Sequence, residues 1–208
     1  MRKRYGDGYK YPPMSNFDDG AEFGIQNRFG ERCTFGAQST FGVFNRFDHH
    51  SVFGEECTFG KWHEFRYGTT LGAGCKFGDG CRFGDGCVIG ARAVFGKNTI
   101  VGHGCTLGED VTISEGFKHG ERLVMEGVEV IAVMCMSNVD GSGRMITIIV
   151  HHGGIRIRAG CFVGSLQEFC KRAVSDGKPV YAATVKAAAN AFAKAHKDKL
   201  NLTKGEAK

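Results

Sequence analysis

The chain has 208 residues, of which 42% are hydrophobic and 24% charged, with a formal net charge of +5 at pH 7. This length suits one large domain or one domain with a small companion, and the modest charge permits anionic ligands without requiring nucleic acid. The sequence holds no apolar run of eighteen residues and no signal-peptide pattern, so we expect a cytoplasmic protein that does not span a membrane.

A six-residue repeat follows a basic, aromatic N-terminal arm of residues 1–16 and runs from Phe17 to Lys118. Its first position is Phe in twelve of seventeen hexads and aliphatic in the other five, and its second position is Gly in thirteen. A fixed short period indicates one structural unit stacked on itself, and a hexapeptide period predicts a parallel β-helix. The first and fifth positions are expected to point inward.

Three hexads per coil would place residues eighteen apart in columns on three faces. Two faces are rich in Thr and Val, and carry Thr34, Val52, Thr70, Val88 and Thr106, or Thr40, Thr58, Lys76, Val94 and Thr112. The third face is mainly basic, with Arg28, Arg46, Glu64, Arg82, Ile100 and Lys118. Flat β-branched faces suit either solvated strands or a contact between subunits.

Six of the nine cysteines occupy the inward fifth position of a hexad: Cys33, Cys57, Cys75, Cys81, Cys87 and Cys105. A free cysteine behaves there as a small hydrophobe. The coil would stack Cys57 under Cys75 and Cys87 under Cys105, so a disulfide is geometrically allowed. The chain has no CxxC pair or mixed Cys/His cluster, and we predict no metal site and no cofactor.

The hexad of a large apolar residue, Gly, two variable residues, a small residue and a variable one resembles the bacterial transferase hexapeptide repeat. The resemblance covers about half of the chain and implies a left-handed parallel β-helix that assembles as a homotrimer. Most relatives with this repeat are acyltransferases that use acyl-CoA or acyl carrier protein, with a His as general base. On that hypothesis His103 would be the base and Asp85, one coil below, would orient it.

One corner of the predicted helix, beside the basic face, stacks several polar residues: Glu31, His49, Tyr67, Asp85 and His103. They could be an ordinary solvent-exposed turn. They could also form the edge of a ligand site, in which Arg28, Arg46 and Arg82 hold an anion, Tyr67 stacks, and the His and Asp side chains direct hydrogen bonds.

A small α+β domain is predicted over residues 119–197, followed by a frayed tail over 198–208. Strand patterns cover 128–136, 145–150 and 155–158, and the third places Arg156 and Arg158 on one side. A capping box at Ser165 opens a helix that closes near Gly177, and an Ala-rich helix follows from Tyr181.

The run from His151 to Phe162, with the capped helix after it, looks similar to a short module of small bacteriophage and prophage proteins. This resemblance covers some thirty residues and implies no reaction. Arg156 and Arg158 are either the exposed side of a basic hairpin or a strand that binds an anion or a partner protein.

Three functions remain open from the sequence. The first is the acyltransferase. The second, which we favour, is a non-enzymatic trimer of phage or prophage origin that holds a small anionic ligand such as a nucleotide, or docks on a host protein. The third is a structural trimer, in which the β-helix is only a rigid rod. Nucleic acid stays open as a partner.

Overall fold

The computed structural model describes residues 3–137, 139–141, 143 and 145–198. The chain divides into two compact units between Gly127 and Val128. The first unit is a parallel β-helix and the second is a four-stranded antiparallel sheet with two helices. The predicted fold class, mainly β with a small α+β domain after a parallel β-helix, is confirmed.

Three parallel sheets form the faces of the β-helix. The basic face contains β2 (Lys10–Tyr11), β5 (Arg28–Phe29), β8 (Arg46–Phe47), β11 (Glu64–Phe65), β14 (Arg82–Phe83), β17 (Ile100–Val101) and β19 (Lys118–His119). The Thr/Val face contains β3 (Asn16–Phe17), β6 (Thr34–Phe35), β9 (Val52–Phe53), β12 (Thr70–Leu71), β15 (Val88–Ile89), β18 (Thr106–Leu107) and β20 (Leu123–Met125). The Thr/Lys face contains β1 (Arg4–Tyr5), β4 (Glu22–Phe23), β7 (Thr40–Phe41), β10 (Thr58–Phe59), β13 (Lys76–Phe77) and β16 (Val94–Phe95), and a bridge joins Val94 to Thr112.

The strand register confirms an eighteen-residue coil. Arg46 pairs with Arg28 on one side and with Glu64 on the other, and the same offset holds on the other two faces. The three predicted columns of outward residues therefore exist as predicted. Charged side chains on one face lie one strand spacing apart, about 4.8 Å.

Stacked aromatic rings fill the interior of the β-helix. Phe59 stacks on Phe41 at 4.8 Å between ring centroids and on Phe77 at 5.0 Å, and it meets Phe53 and Phe65 edge-on. Each ring thus combines offset stacking along its column with edge-to-face contact across the coil, the two arrangements that aromatic pairs prefer. The predicted inward Phe column is confirmed.

The corners of the β-helix account for the glycine at the second hexad position and for the residues at the fourth position. A Cβ at Gly54 would lie 2.5 Å from the backbone nitrogen of Ala37 in the previous coil, so glycine allows the coils to approach closely. The fourth hexad position adopts the left-handed conformation in many coils, whether the residue is Gly or a larger one such as Trp62, with φ 63°. That conformation points the side chain away from the coil interior.

The β-helix extends beyond both predicted boundaries. Tyr5 and Tyr11 occupy the inward position in what was predicted to be an arm, and they stack on Phe23 and Phe29 at 4.7 Å. At the other end the coil continues past Lys118 to Met125, which is fully buried. The predicted N-terminal arm is therefore part of the β-helix, and the repeat does not end at His119. The inward packing continues in these segments although their sequences lack the Phe-Gly pair of the other hexads.

The six inward cysteines are fully buried, and all nine cysteines of the chain are free thiols in the structure. Burial raises the pKa of Cys81 to about 11. A hydrogen bond to the Cys57 thiol, together with burial, raises the pKa of Cys75. Buried thiols with raised pKa values react slowly, which supports a packing role.

The second unit has four antiparallel strands in sequential order and two helices. Its elements are β21 (Val128–Ser137), β22 (Met145–His151), β23 (Gly154–Ala159), β24 (Phe162–Ser165), α1 (Leu166–Ser175) and α2 (Pro179–Ala195). Ser165 caps α1, and Glu168 completes the predicted capping box. Strand β24 was not predicted, because its Gly-containing sequence reads as a turn. The predicted frayed tail was residues 198–208, of which residues 199–208 lie outside the described residues.

The core of the second unit lies between its sheet and its helices. Ile146, Ile148 and Ile157 pack with Phe169 and Val185. Among the described residues, no helix is both long and apolar enough to cross a membrane.

Candidate ligand groove on the basic face

A groove of about 730 Å³ runs along the basic face of the β-helix. It crosses five consecutive coils and is lined by Gly8, Lys10, Gln26, Arg28, Phe44, Asn45, Arg46, Trp62, His63, Glu64, Gly80 and Arg82. One wall is the column of outward side chains of the basic face. The other wall is the corner where the chain enters that face.

The first wall is positively charged. It carries four cations and one acid, namely Lys10, Arg28, Arg46, Arg82 and Glu64. Glu64 lies in register between Arg46 and Arg82, and its Oε2 is 3.6 Å from Nη1 of Arg46. One carboxylate cannot neutralise four cations, so the wall keeps an excess positive charge that would favour an anion.

The second wall presents two exposed aromatic rings on successive coils. Phe44 and Trp62 are 54% and 48% exposed, and both have left-handed backbones, with φ 59° and 63°. Trp62 is the single tryptophan of the chain. Its ring lies over Gly80, where a Cβ would overlap it. The absence of a side chain at Gly80 therefore allows this ring position.

The floor of the groove lies over buried polar side chains that point into the β-helix. The Nδ2 amide of Asn45 donates to the Gly24 carbonyl at 3.0 Å, and its Oδ1 accepts from the Asn27 backbone N–H at 2.7 Å. Nε2 of His63 lies 2.8 Å from the Gly42 carbonyl and donates to it. Burial lowers the pKa of His63 to about 4, so the floor is uncharged at neutral pH.

A smaller cavity of about 270 Å³ lies on the other side of the basic column. It is lined by Arg28, Phe29, Arg46, Asp48 and Arg66. Nε of Arg66 is 3.5 Å from Oδ1 of Asp48 and 3.9 Å from Oε1 of Glu64. Arg28 and Arg46 therefore border both cavities, and form the centre of the positively charged surface.

The corner predicted to be the ligand edge is stacked as expected. The carbonyl oxygens of His49, Tyr67, Asp85 and His103 accept hydrogen bonds from the adjacent coil at 2.8–3.0 Å. The large groove, however, opens at the opposite edge of the basic face, and these four residues are not in its lining. Nε2 of His49 is 3.5 Å from Oδ1 of Asp48, at the smaller cavity.

The geometry of His103 does not suit the role of general base. Oδ1 of Asp85 accepts the backbone N–H of His103 at 2.8 Å, so this carboxylate holds the corner rather than the ring. Nδ1 of His103 accepts the backbone N–H of Glu121 at 3.0 Å. A neutral ring that accepts at Nδ1 carries its proton on Nε2 and lacks the free lone pair there that a base needs.

Arg156 and Arg158 lie in the second unit, on β23. They alternate with Ile157, which is fully buried in the core of that unit, so both arginines are on the opposite side of the strand as predicted. They are half-buried and pair in register with Ile149 and Thr147 of β22.

The sequence pattern placed three of the groove's cations correctly but missed its aromatic wall. The residues of the predicted ligand edge occupy the third position of each hexad, whereas Phe44 and Trp62 are at the fourth. The signal was present, because a lone tryptophan and a phenylalanine outside the inward register are unusual in a repeat whose other hexads place Phe inside.

Comparisons with protein-family models, curated proteins and solved structures found no match to this chain.

Proposed function

We propose that this protein is a non-enzymatic binding protein that holds a nucleotide in the groove of the basic face. The observation that carries the proposal is the pairing of an arginine wall with an exposed aromatic wall across one groove. Guanidinium groups bind phosphate oxygens through paired, charge-assisted hydrogen bonds. An exposed tryptophan or phenylalanine ring offers a face on which a base can stack.

The groove fits a nucleotide better than an acyl chain. A thioester substrate with a fatty or short acyl group needs an apolar slot, whereas the groove combines Lys10, Arg28 and Arg46 with the polar floor of Asn45 and His63. The hydrogen bonds of His103 also work against the acyltransferase alternative. We also propose that the β-helix is related to the transferase hexapeptide repeat and assembles as a homotrimer. We further propose that the second unit has a phage-like origin.

The test is a titration with ATP in which binding is measured by calorimetry and by the fluorescence of Trp62. An Arg46→Ala/Arg82→Ala variant should keep its circular dichroism spectrum and lose affinity by about 100-fold or more, since hydrogen bonds to charged groups contribute about 1.5–3 kcal/mol each. The matched control is Lys76→Ala/Arg92→Ala, which removes two exposed positive charges of the β-helix that are not in the groove lining.

Unchanged affinity in the arginine variant would place the site elsewhere, with Arg156 and Arg158 next to be tested. Transfer of an acetyl group from acetyl-CoA that is lost in His103→Ala would establish the acyltransferase function instead.

A further inference from the structure

We infer that the physiological ligand of the groove is a single strand of nucleic acid, whose phosphates follow the cation column while its bases stack on the aromatic wall. This inference rests on the proposed nucleotide function and names the form that the ligand takes.

The length of the groove is the first argument. Its lining extends over five coils, from Lys10 to Arg82. Four strand spacings of about 4.8 Å give a length of about 19 Å. A strand with stacked bases advances about 3.4 Å per nucleotide, so the groove has room for about five nucleotides. A mononucleotide would leave most of it empty.

The regular placement of charge is the second argument. Four of the five coils contribute a cation to the same wall, Lys10, Arg28, Arg46 and Arg82, and all four project from equivalent positions of paired strands. A compact anion such as ATP can meet only two or three of these groups. A polymer with a regularly repeated negative charge can meet all of them.

The aromatic wall distinguishes a single strand from a duplex. Phe44 and Trp62 are exposed on successive coils beside the cations. Rings of this kind bind the π-faces of bases, which a duplex hides within its own stack. A positively charged groove with aromatic side chains along it is the usual arrangement in proteins that bind single strands with little sequence preference.

Glu64 provides a charge of opposite sign within the same wall. It occupies the fourth coil of the groove and holds Arg46 in an ion pair. Its carboxylate repels a phosphate and competes for the arginine. Removing its charge should therefore strengthen binding of a strand, while removal of Arg82 should weaken it. A purely structural role for this column would not give changes of opposite sign.

The experiment measures binding of a labelled eight-nucleotide DNA of mixed sequence by fluorescence anisotropy, together with the emission of Trp62. We expect quenching of Trp62 and an affinity at least about 100-fold above that of AMP, because several linked contacts act together. The slope of log K against log[salt] should be about −2.8 for four neutralised phosphates, and about −2.1 in Arg82→Ala. Glu64→Gln should bind several-fold more tightly, and the Lys76→Ala control should match the wild type.

Substitutions of the ring test the stacking itself. Trp62→Phe should retain the affinity, whereas Trp62→Ala should lose about tenfold or more, as expected for loss of one stacked base. Both variants keep a Cβ at this left-handed position, so backbone strain does not separate them.

The alternative outcomes are distinct. An octamer that binds no more tightly than AMP, while AMP itself binds through Arg46 and Arg82, would overturn the single-strand inference and leave the nucleotide function standing. Binding of neither would overturn both. Tighter binding of the matching duplex, or equal binding of polyglutamate without quenching, would also overturn the inference, because either result means that charge alone is recognised.

Discussion

Phe59 illustrates how the interior depends on individual rings. It is 2% exposed, and the centroid of its ring lies within 6.0 Å of the ring centroids of five other phenylalanines. The neighbouring rings are held by their own coils and cannot close around a missing side chain. A truncation here therefore removes buried apolar surface and leaves a cavity.

We predict that Phe59→Ala lowers the free energy of unfolding by about 3–5 kcal/mol, the range for truncation of a buried aromatic residue. Urea unfolding followed by circular dichroism measures the change. Thr58→Ala, at the exposed neighbouring position, is the control and should stay within about 0.5 kcal/mol of the wild type. A loss below about 1 kcal/mol for Phe59→Ala would contradict the stacked core.

At the scale of elements, a ladder of polar side chains marks where the chain enters the basic face. Asn27, Asn45 and His63 occupy the inward fifth position on three successive coils, and all are buried. Oδ1 of Asn27 accepts the Tyr9 backbone N–H, and Oδ1 of Asn45 accepts that of Asn27. The side chains thus join adjacent coils through bonds that supplement the strand pairing.

This ladder should make stability depend on pH. Burial lowers the pKa of His63 from its ordinary value of 6.5 to about 4. As the pH falls from 6.5 to 4, the unfolded chain takes up a proton at this residue and the folded chain does not. Proton uptake therefore stabilises the unfolded state relative to the folded state. We predict that about 3 kcal/mol of stability is lost across this window through His63.

The measurement compares the wild type with His63→Asn at pH 7 and pH 4.5. Asparagine already occupies the equivalent position one coil away at Asn45, so the variant has a suitable side chain for the site. The wild type should lose more stability than the variant as the pH falls. Parallel losses in the two proteins would mean that His63 becomes protonated in the folded state.

At the scale of the whole molecule, the Thr/Val face of the β-helix is the candidate contact between subunits. Val52 and Val88 are 43% and 45% exposed on this face. When a second copy covers side chains of this kind on a flat sheet, their apolar surface is removed from water, which favours association. Together with the resemblance of the hexads, this motivates the expectation of a homotrimer.

We predict that sedimentation equilibrium gives three times the mass of one chain. Val88→Glu places a charge in the expected interface and should release monomers that keep the β-helix spectrum, while Lys76→Glu on the Thr/Lys face should leave the assembly unchanged. A wild-type mass equal to one chain at every concentration would disprove the trimer.

The sequence by itself determined the coil, the inward residues and the composition of each face. The repeat of Phe17 and its equivalents marks every sixth residue as inward, and the resemblance to the hexapeptide repeat implies three hexads per coil, from which the columns of Arg28 and Thr34 follow. The capping box at Ser165 was equally predictable, since it depends on residues three positions apart along the chain.

Only the tertiary structure decided where the groove opens and which residues act in it. The extent of the coil at Tyr5 and Met125 depends on packing against rings and apolar side chains of adjacent coils, which no local motif records. The position of Trp62 depends on a left-handed corner and on the space left by Gly80, eighteen residues away. The role of Asp85 depends on which N–H of His103 it meets. Such contacts are set by distances of a few ångströms between coils, and a repeat pattern specifies the order of residues but not these distances.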